Sequence, residues 1–428
     1  MLRFNDANEV ITEDHYRAIL VGVQTDEDIS YSMEELKGLS EAAGIEPQGI
    51  VIQNLERPNS ATLIGKGKVE ELKEMVSNME IDLVVFNDEL SGIQLRNLED
   101  ALGVKVIDRV ILILDIFAKR AATREGKLQV ELAQLKYRIP RITGFGKSLS
   151  RLGGGIGTRG PGEKKLETDR RHIERRIDDI KEELESIKKT RETQKKRREK
   201  NEIPVVALVG YTNSGKSALM NLILEKTDQG EKQVFEKDML FATLDTYQRR
   251  IDLDRNQSFI LVDTIGFVSR LPHLLIDAFK STLEIVSEAD LLVHVVDTSY
   301  ENHDFQIEVT DKVLNEIGAG SKQKIMAFNK TDLMDDISDV ISVGGVKNHF
   351  ISAKCDIGVD ELIEDIVSEI FKDLRRTVLL IPYTRGDITS YLQQNSVISD
   401  LRYVEDGTLI DCKLNEKDHN RFSKFQVS

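Results

Sequence analysis

Short apolar runs alternate with amphipathic stretches over the first 118 residues of this 428-residue chain. The apolar runs have the length of buried strands, and the stretches between them repeat apolar residues at helical spacing. Strands that alternate with helices are typical of a parallel sheet. We therefore predict a small α/β domain at residues 1–118. Its predicted strands are 18–23, 49–52 and 82–86, and its predicted helices are 33–43, 69–78 and 92–102.

The apolar pattern changes at residues 119–200. One helix face carries Leu128, Leu132, Leu135 and Ile139, and we expect it to stop before Pro140 because the residue before a proline disfavours the helical region. A second helix has a narrow apolar seam, made of Leu166, Ile173, Ile177, Ile180, Leu184 and Ile187. Residues 144–162 between them contain eight glycines in nineteen positions. This pattern predicts a helical hairpin with a long, glycine-rich tip loop.

Two further modules follow. A second α/β domain is predicted at residues 201–371, with buried strands at 205–209, 259–262, 291–296 and 324–328 and a helix at 218–225. A small α+β module is predicted at residues 372–428. It begins with an apolar run at 378–382 and continues with a helix at 388–394 and a hairpin around Asp406 and Gly407.

The composition is that of a soluble globular protein, with 40% hydrophobic and 31% charged residues. Two cysteines are too few for a disulfide framework and indicate a reducing compartment, so we expect a cytoplasmic protein. The N-terminus does not resemble a signal peptide. The longest apolar run, 104–118, is interrupted by four charged residues, so we expect no stable membrane insertion.

Charge is distributed unevenly along the chain. The net charge is −15, yet residues 119–200 hold 25 Lys/Arg against 13 Asp/Glu, a balance of +12. The remaining residues hold 34 against 61, a balance of −27. A basic strip on an acidic body favours a local surface for polyanions, and the alternative is a solvated pair of charged helices.

A phosphate-binding pattern lies between a predicted strand and a predicted helix. Its glycines let the backbone N–H groups point at phosphates, and the helix N-terminus favours negative charge. Lys216 is expected to bridge two phosphates, and the Ser217 hydroxyl to bind Mg²⁺. The alternative is a glycine turn that caps a helix. The pattern consists of Gly210, Tyr211, Thr212, Asn213, Ser214, Gly215, Lys216 and Ser217.

Two later segments complete a γ-phosphate and metal site in this interpretation. Asp263 ends a predicted strand and can hold Mg²⁺ through a water molecule, while the N–H of Gly266 can meet the γ-phosphate. Thr243 is the candidate for completing the Mg²⁺ shell, and a solvent-facing loop threonine is the alternative. The segments are Asp263, Thr264, Ile265 and Gly266, and Phe241, Ala242, Thr243, Leu244 and Asp245.

A third group selects the base. We expect the carboxylate of Asp332 to be buried and to accept from N1–H and the exocyclic amine of guanine, a donor pair that adenine lacks. Guanine selection is expected to rest on Asn329 together with Asp332. Lys330 is expected to pack its stem along the base, and the Ala353 N–H is expected to donate to O6. The group comprises Asn329, Lys330, Thr331, Asp332, Ser352, Ala353 and Lys354. Together the motifs predict binding and hydrolysis of GTP with Mg²⁺, with Lys216, Thr243 and Gly266 as catalytic residues.

Phe267 follows Gly266 and cannot hydrogen-bond a water molecule. We therefore expect slow intrinsic hydrolysis, with the missing group supplied by another loop or by a partner. The alternative is that Phe267 is a packing residue, and both interpretations can hold together. Asn213 is similar to the phosphate-loop asparagine of potassium-stimulated GTPases, which implies K⁺ nearby; the alternative is that it caps the loop's own backbone.

The chain resembles the HflX-type GTPases, a ribosome-associated family of the Obg-like group. The resemblance runs over nearly the full length and rests on five segments besides the phosphate loop. Ala218 stands where threonine is common, and Lys164 and Lys165 stand where relatives often have Thr-Gln. The five segments are residues 63–70, 120–131, 153–163, 166–171 and 263–272.

The resemblance implies binding to the large ribosomal subunit, with the hairpin tip near the peptidyl-transferase region, and splitting or rescue of stalled ribosomes. Lys147, Arg151 and Arg159 would then contact RNA phosphates. We expect a monomer without a DNA partner. Alternatives are a GTP-dependent ribosome-assembly factor and an RNA-binding protein whose affinity the nucleotide tunes. Residues 65–68 resemble a second phosphate site, and the alternative is a strand–helix turn.

Overall fold

The computed structural model describes residues 16–149, 161–200, 203–227, 240–241, 247–253, 257–270, 272–300, 302–334 and 343–427. Only the backbone is described at 142–149, 161–166, 192, 194–200, 273–274, 276–278 and 280–282. The chain divides into two compact units. The first contains Met1–Lys189, Met239–Phe241 and Ser269–Phe279, and the second contains Thr190–Asp238, Ala242–Val268 and Lys280–Ser428.

The first unit begins with alternating strands and helices. The strands are β1 (Tyr16–Gln24), β2 (Ile45–Asn54), β3 (Leu83–Phe86) and β4 (Lys105–Asp108), and the helices are α1 (Ser30–Ala42), α2 (Lys66–Asn78), α3 (Gly92–Leu102) and α4 (Arg109–Arg120). In the described residues the strands form one sheet in the order β2-β1-β3-β4, and its neighbouring strands are parallel. The predicted α/β domain with a parallel sheet is confirmed.

The apolar run at 104–118 is a strand followed directly by a helix. Asp108 ends β4 and caps α4, because its Oδ1 accepts from the backbone N–H of Ile111 at 2.9 Å. The apolar side chains of α4, among them Ile113 and Phe117, are buried. None of the helices that the structure describes is long and apolar enough to cross a membrane.

The predicted hairpin consists of α5 (Arg124–Leu149) and α6 (Pro161–Lys200). Ion pairs join the two helices, since Arg176 Nε lies 2.7 Å from Glu131 Oε1 and Arg124 Nη2 lies 2.6 Å from Glu183 Oε2. The predicted seam is confirmed apart from Leu166, whose side chain lies outside the described part. It contains Leu128, Leu132, Leu135, Ile139, Ile173, Ile177, Ile180, Leu184 and Ile187.

The prediction that the first hairpin helix stops before Pro140 is wrong. Pro140 lies inside α5, which continues to Leu149. An internal proline removes the hydrogen bond to the carbonyl four residues earlier and costs about 3 kcal/mol. Contacts of the next residue offset this cost. Arg141 Nη2 donates to the carbonyl of Leu90 at 2.7 Å, and its Nη1 donates to the carbonyl of Tyr137 at 2.9 Å.

The second unit has a larger sheet. Its strands are β5 (Val205–Val209), β6 (Tyr247–Asp252), β7 (Ser258–Asp263), β8 (Leu291–Asp297), β9 (Lys324–Asn329) and β10 (Lys347–Phe350), and its helices include α7 (Lys216–Lys226), α8 (His273–Glu288), α9 (His303–Glu316) and α10 (Val359–Ile370). As far as the chain is described, the order is β10-β9-β8-β5-β7-β6. β5, β7, β8, β9 and β10 are parallel, so their carboxyl ends meet at one edge.

The last residues form the predicted α+β module. Strands β11 (Arg375–Ile381), β12 (Val397–Val404) and β13 (Gly407–Leu414) pair antiparallel, with helices α11 (Gly386–Asn395) and α12 (Glu416–Phe422). The helix and the hairpin predicted here are both present. Leu379, Ile410 and Leu392 are fully buried in the core of this module.

His294 on β8 is buried at 1% exposure, and its Nδ1 has no hydrogen-bond partner among the described residues. Burial lowers the pKa of His294 to about 3, although the charge of Asp311 opposes the change. In the unfolded chain this histidine binds a proton below pH ~6.5. Its contribution to stability is therefore complete above that pH, and is lost as the pH falls from ~6.5 towards the lowered pKa.

We expect the free energy of unfolding to fall more steeply in wild type than in His294→Gln when the pH is lowered from 6.5 to 4.5. The difference in slope should reach up to about 1.4 kcal/mol per pH unit. Urea denaturation followed by circular dichroism at several pH values measures the difference. The exposed His172, replaced by glutamine, is the matched control and should follow wild type. Parallel pH profiles for wild type and His294→Gln would contradict the assignment.

Candidate functional site

The phosphate-loop sequence connects β5 to α7 at the carboxyl edge of the larger sheet. Gly215 has a φ of +91°, and a Cβ atom there would lie 2.1 Å from Nδ2 of Asn329. Glycine is therefore required both for the backbone conformation and for the close approach of Asn329. Asn213 also has a positive φ, +60°. This left-handed conformation is one that asparagine tolerates better than most residues.

Lys216 is the first residue of α7 and is buried at 6% exposure. Its Nζ donates to the carbonyl of Tyr211 at 2.7 Å and to that of Gly210 at 3.2 Å. Burial lowers the pKa of Lys216 to about 8, while the negative charge of Asp263 opposes this change. The ammonium group is thus held inside the loop and remains largely protonated at neutral pH.

Ser217 and Asp263 bring two oxygen atoms together beside the loop. The Ser217 hydroxyl donates to Oδ2 of Asp263 at 2.6 Å, and Asp263 is completely buried at the end of β7. Hydroxyl and carboxylate oxygens are the donors that Mg²⁺ prefers. The residues present therefore fit Mg²⁺ in their donor chemistry. Nearby, the Oγ of Ser214 is buried without a hydrogen-bond partner among the described residues.

The segment after Asp263 pairs with the phosphate loop through its backbone. The N–H of Thr212 donates to the carbonyl of Phe267 at 2.7 Å, and the N–H of Phe267 donates to the carbonyl of Gly210 at 3.2 Å. A Cβ atom on Gly266 would lie 2.5 Å from Cα of Thr212, so only glycine fits at this contact.

Three neighbours of Gly266 are buried, and they anchor it. The Thr264 hydroxyl donates to the carbonyl of Leu208 at 2.6 Å, and Ile265 is 5% exposed. The Phe267 ring is 1% exposed and packs in the apolar cluster that contains Val262 and Leu283. The packing interpretation of Phe267 therefore agrees with the structure, and the ring has no group that could orient a water molecule.

The base-selecting residues differ from expectation in two respects. Asn329 Nδ2 donates to the carbonyl of Ser214 at 2.9 Å, and its Oδ1 accepts from the Ala353 N–H at 2.9 Å. Asn329 thus braces the phosphate loop against the 352–354 loop, and the Ala353 N–H expected at guanine O6 is bonded to Asn329. The Asp332 carboxylate, expected to be buried, is exposed; its Oδ1 accepts from the Ser352 hydroxyl at 2.6 Å.

Lys330 has a partner that the sequence analysis missed. Its Nζ lies 2.7 Å from Oδ2 of Asp297, the last residue of β8, and its φ is +67°. The sequence feature that could have revealed this partner is that Asp297 stands at the carboxyl end of a strand parallel to β9. Thr331 is buried, and its hydroxyl donates to the carbonyl of Ile351 at 3.0 Å. Lys354 is exposed at the same loop.

Several predicted site residues lie outside the described part of the chain. They are Ala242, Thr243, Leu244, Asp245, Arg151 and Arg159, and Lys147 is described only by its backbone in α5. Phe241 is described, is 1% exposed and has a φ of +53°. The structure thus brings together the phosphate, Asp263–Gly266 and base-selecting groups, and the predicted roles stay predictions.

Three family models match the chain. One is described as GTP-binding GTPase N-terminal and matches residues 30–118; another, GTP-binding GTPase Middle Region, matches residues 120–198. The third is described as a 50S ribosome-binding GTPase and matches residues 205–330. The matches follow one another along the chain and cover its larger part.

Individual relatives align along nearly the whole chain. The GTPase HflX of Caldanaerobacter subterraneus subsp. tengcongensis is 47% identical over 423 residues, which are 99% of this chain and 96% of the relative. The GTPase HflX of Escherichia coli (strain K12) is 38% identical over 397 residues, 92% of each chain. Among solved structures, a GTP-binding protein from Sulfolobus solfataricus in complex with GDP is 25% identical, with 83% and 99% of the two chains covered and a TM-score of 0.44.

Proposed function

The chain belongs to the HflX family of GTPases, and from this premise we propose that it hydrolyses GTP to GDP and phosphate while bound to the large ribosomal subunit. The proposal that the chain binds and hydrolyses GTP is best supported by the Ser217–Asp263 pair, whose two oxygens lie 2.6 Å apart beside the buried Lys216. A glycine turn that merely caps a helix needs neither the buried carboxylate nor the buried ammonium.

In this proposal each group acts by position and charge. Lys216 neutralises the β- and γ-phosphates, and the backbone N–H groups of the loop, with that of Gly266, donate to phosphate oxygens. Ser217, Asp263 through water, and Thr243 would hold Mg²⁺, which supplies charge neutralisation between the phosphates when bound. Asp332 accepts from the guanine edge, and Asn329 keeps the phosphate and base loops in register.

The basal rate is proposed to be slow, with the large subunit increasing it. Phe267 occupies the position after Gly266, and its ring is a core side chain that cannot orient the attacking water. Another loop or a partner therefore supplies or positions the missing group in this proposal. K⁺ near Asn213 is a second proposed contributor, supported by the left-handed backbone that presents this residue in the phosphate loop.

The basic hairpin is the proposed ribosome-binding element. The excess of positive charge at residues 119–200 supports contacts to RNA phosphates, and Lys147, Arg151 and Arg159 are the proposed contacts. We propose that the chain acts as a cytoplasmic monomer and that the outcome is splitting or rescue of stalled ribosomes. In this scheme residues 1–118, 119–200, 201–371 and 372–428 are separate modules.

Sucrose-gradient sedimentation of intact ribosomes with the protein and GTP tests this outcome against an assembly role. We expect free subunits to increase and the protein to travel with the large subunit. An assembly factor would instead travel with precursor particles and leave intact ribosomes unsplit, and that result would contradict the proposal. Equal splitting without any nucleotide would favour an RNA-binding protein that the nucleotide only tunes.

A further inference from the structure

Ser269 lies three residues after Gly266 and is held by a buried ion pair of the first unit. Oε1 of Glu35 accepts from the Ser269 N–H at 3.3 Å, and Oε2 accepts from its hydroxyl. Nη2 of Arg109 donates to the Ser269 carbonyl at 3.1 Å and to its hydroxyl oxygen at 3.3 Å. The three residues are 2–6% exposed. One ion pair thus fixes the backbone and the side chain of Ser269.

Arg109 is itself fixed by rigid elements. It pairs directly with Glu35 of α1. Its Nη1 donates to Oδ1 of Asn87, next to the end of β3, at 3.0 Å, and to the carbonyl of Ser32 at 3.2 Å. A planar guanidinium with donors directed at several fixed acceptors has little freedom to turn. The position of Ser269 is therefore set by α1, β3 and the first residue of α4.

A second contact places α4 against Phe241, the first residue of the segment 241–245 that carries the predicted Mg²⁺ ligand. The ring of Phe117 on α4 meets that of Phe241 edge to face, with centroids 4.6 Å apart, and that of Phe279 at 4.9 Å. Phe241 begins the segment that carries Thr243 in the sequence. Two points of one helix, Arg109 and Phe117, therefore hold residues close in sequence to the predicted γ-phosphate contact Gly266 and the predicted Mg²⁺ ligand Thr243.

Asp108, the residue before Arg109, is bound by the hairpin. It is completely buried and accepts from the Tyr137 hydroxyl and, at 3.3 Å, from Nη2 of Arg141, both on α5. It also accepts from the N–H of Leu90 at 3.0 Å. Burial, together with the charge of Asp108, raises the pKa of Tyr137 far above its ordinary value, so the phenol keeps the proton that it donates.

We propose that Asp108 and Arg109 are positioning residues that connect the basic hairpin to the segment carrying Gly266, so that contact at the hairpin changes the rate of GTP hydrolysis. The two residues are consecutive at the junction of β4 and α4, so a shift of one moves the other. This inference rests on the proposed function, because it assigns the route by which a large ribosomal RNA partner acts on the nucleotide site.

Ribosome-stimulated hydrolysis in the full chain tests the route. Tyr137→Phe and Ser269→Ala remove one hydroxyl each, at opposite ends of the Asp108–Arg109 junction. We expect each to lower the stimulation of kcat by purified large subunits about three- to tenfold. The affinity for the subunits, measured by cosedimentation, and the KM for GTP should stay within about twofold. The double variant should lose no more stimulation than the more strongly affected single variant, because both changes interrupt one route.

The chain offers matched controls. Tyr391→Phe also removes a tyrosine–carboxylate hydrogen bond, to Asp418 at 3.2 Å, but in the C-terminal module. Ser287→Ala also removes a serine hydroxyl that bonds a neighbouring residue, the Glu284 carbonyl at 2.7 Å. Both should be stimulated like wild type. Losses that multiply in the Tyr137→Phe/Ser269→Ala variant, or full stimulation of both single variants, would overturn the route.

Hydrogen exchange separates this inference from the proposed function, since it needs no ribosome. Tyr137→Phe should increase the amide exchange of the peptide containing Ser269 severalfold, and Tyr391→Phe should not. If exchange is faster in Tyr137→Phe but large subunits do not stimulate wild type, the connection is supported and the proposed function is contradicted. If exchange is unchanged in Tyr137→Phe and large subunits still stimulate GTP hydrolysis by this variant, the connection is contradicted and the proposed function is unaffected.

Discussion

Lys216→Ala is expected to lower kcat/KM for GTP hydrolysis by about 100-fold or more. The ammonium group is buried at the start of α7 and bonded to the carbonyls of Gly210 and Tyr211 inside the phosphate loop. In a site that excludes water, a cation aimed at phosphate oxygens contributes far more than one in solvent. Its loss leaves developing negative charge without a counter-charge, so the chemical step should suffer more than binding.

Lys226→Ala is the matched control for this variant. Lys226 lies in the last turn of the same helix, where its Nζ is 2.8 Å from Asp356 and 2.9 Å from Asp360, both exposed. We expect its rate to stay within about twofold of wild type, because a surface ion pair contributes little. Single-turnover hydrolysis and binding of a fluorescent GTP analogue measure the two effects. Near-wild-type hydrolysis by Lys216→Ala would contradict the assigned site.

Asp332→Asn is expected to change the affinity ratio of GTP to xanthosine triphosphate by about 1,000-fold or more. A carboxylate accepts from two adjacent donors of guanine, whereas an asparagine amide presents one acceptor and one donor. Xanthine carries a carbonyl in place of the exocyclic amine and therefore complements asparagine. The carboxylate of Asp332 is exposed, and its Oδ1 accepts from the Ser352 hydroxyl at 2.6 Å.

Competition between the two nucleotides for binding measures this ratio directly. Asp304→Asn is the control, because Asp304 is an exposed carboxylate in the first turn of α9 and should leave the ratio at its wild-type value. An unchanged ratio in Asp332→Asn would show that another residue selects the base.

Local patterns predicted the parts of the site that depend on neighbours in sequence. Gly215, Lys216 and Ser217 are consecutive, and their strand–loop–helix context is visible in the apolar pattern alone. Asp263 and Asn329 each end a buried strand, so a parallel sheet brings them to one edge. The same reasoning predicted β1, β3, β5, β7, β8 and β9, part of β2 and the seam of the hairpin, but it missed β4, β6 and β10.

Interactions between distant residues could not be predicted in this way. Pro140 stays in α5 because Arg141 is held by the Leu90 carbonyl, which is 51 residues away. The brace that Asn329 forms between two loops and the pairing of Glu35 with Ser269, 234 residues apart, also depend on tertiary packing. Periodicity and strand ends predict which faces and edges of elements meet, but they do not identify the individual polar side chains that pair across elements.

The rate of GTP hydrolysis by the full chain, with and without purified large ribosomal subunits, tests the central claim most directly. We expect slow turnover alone, and a saturable increase of about tenfold or more with large subunits, because the Phe267 ring is buried and cannot orient the attacking water. Small subunits at the same concentration should have little effect. Hydrolysis that is equally fast with and without large subunits would contradict the account.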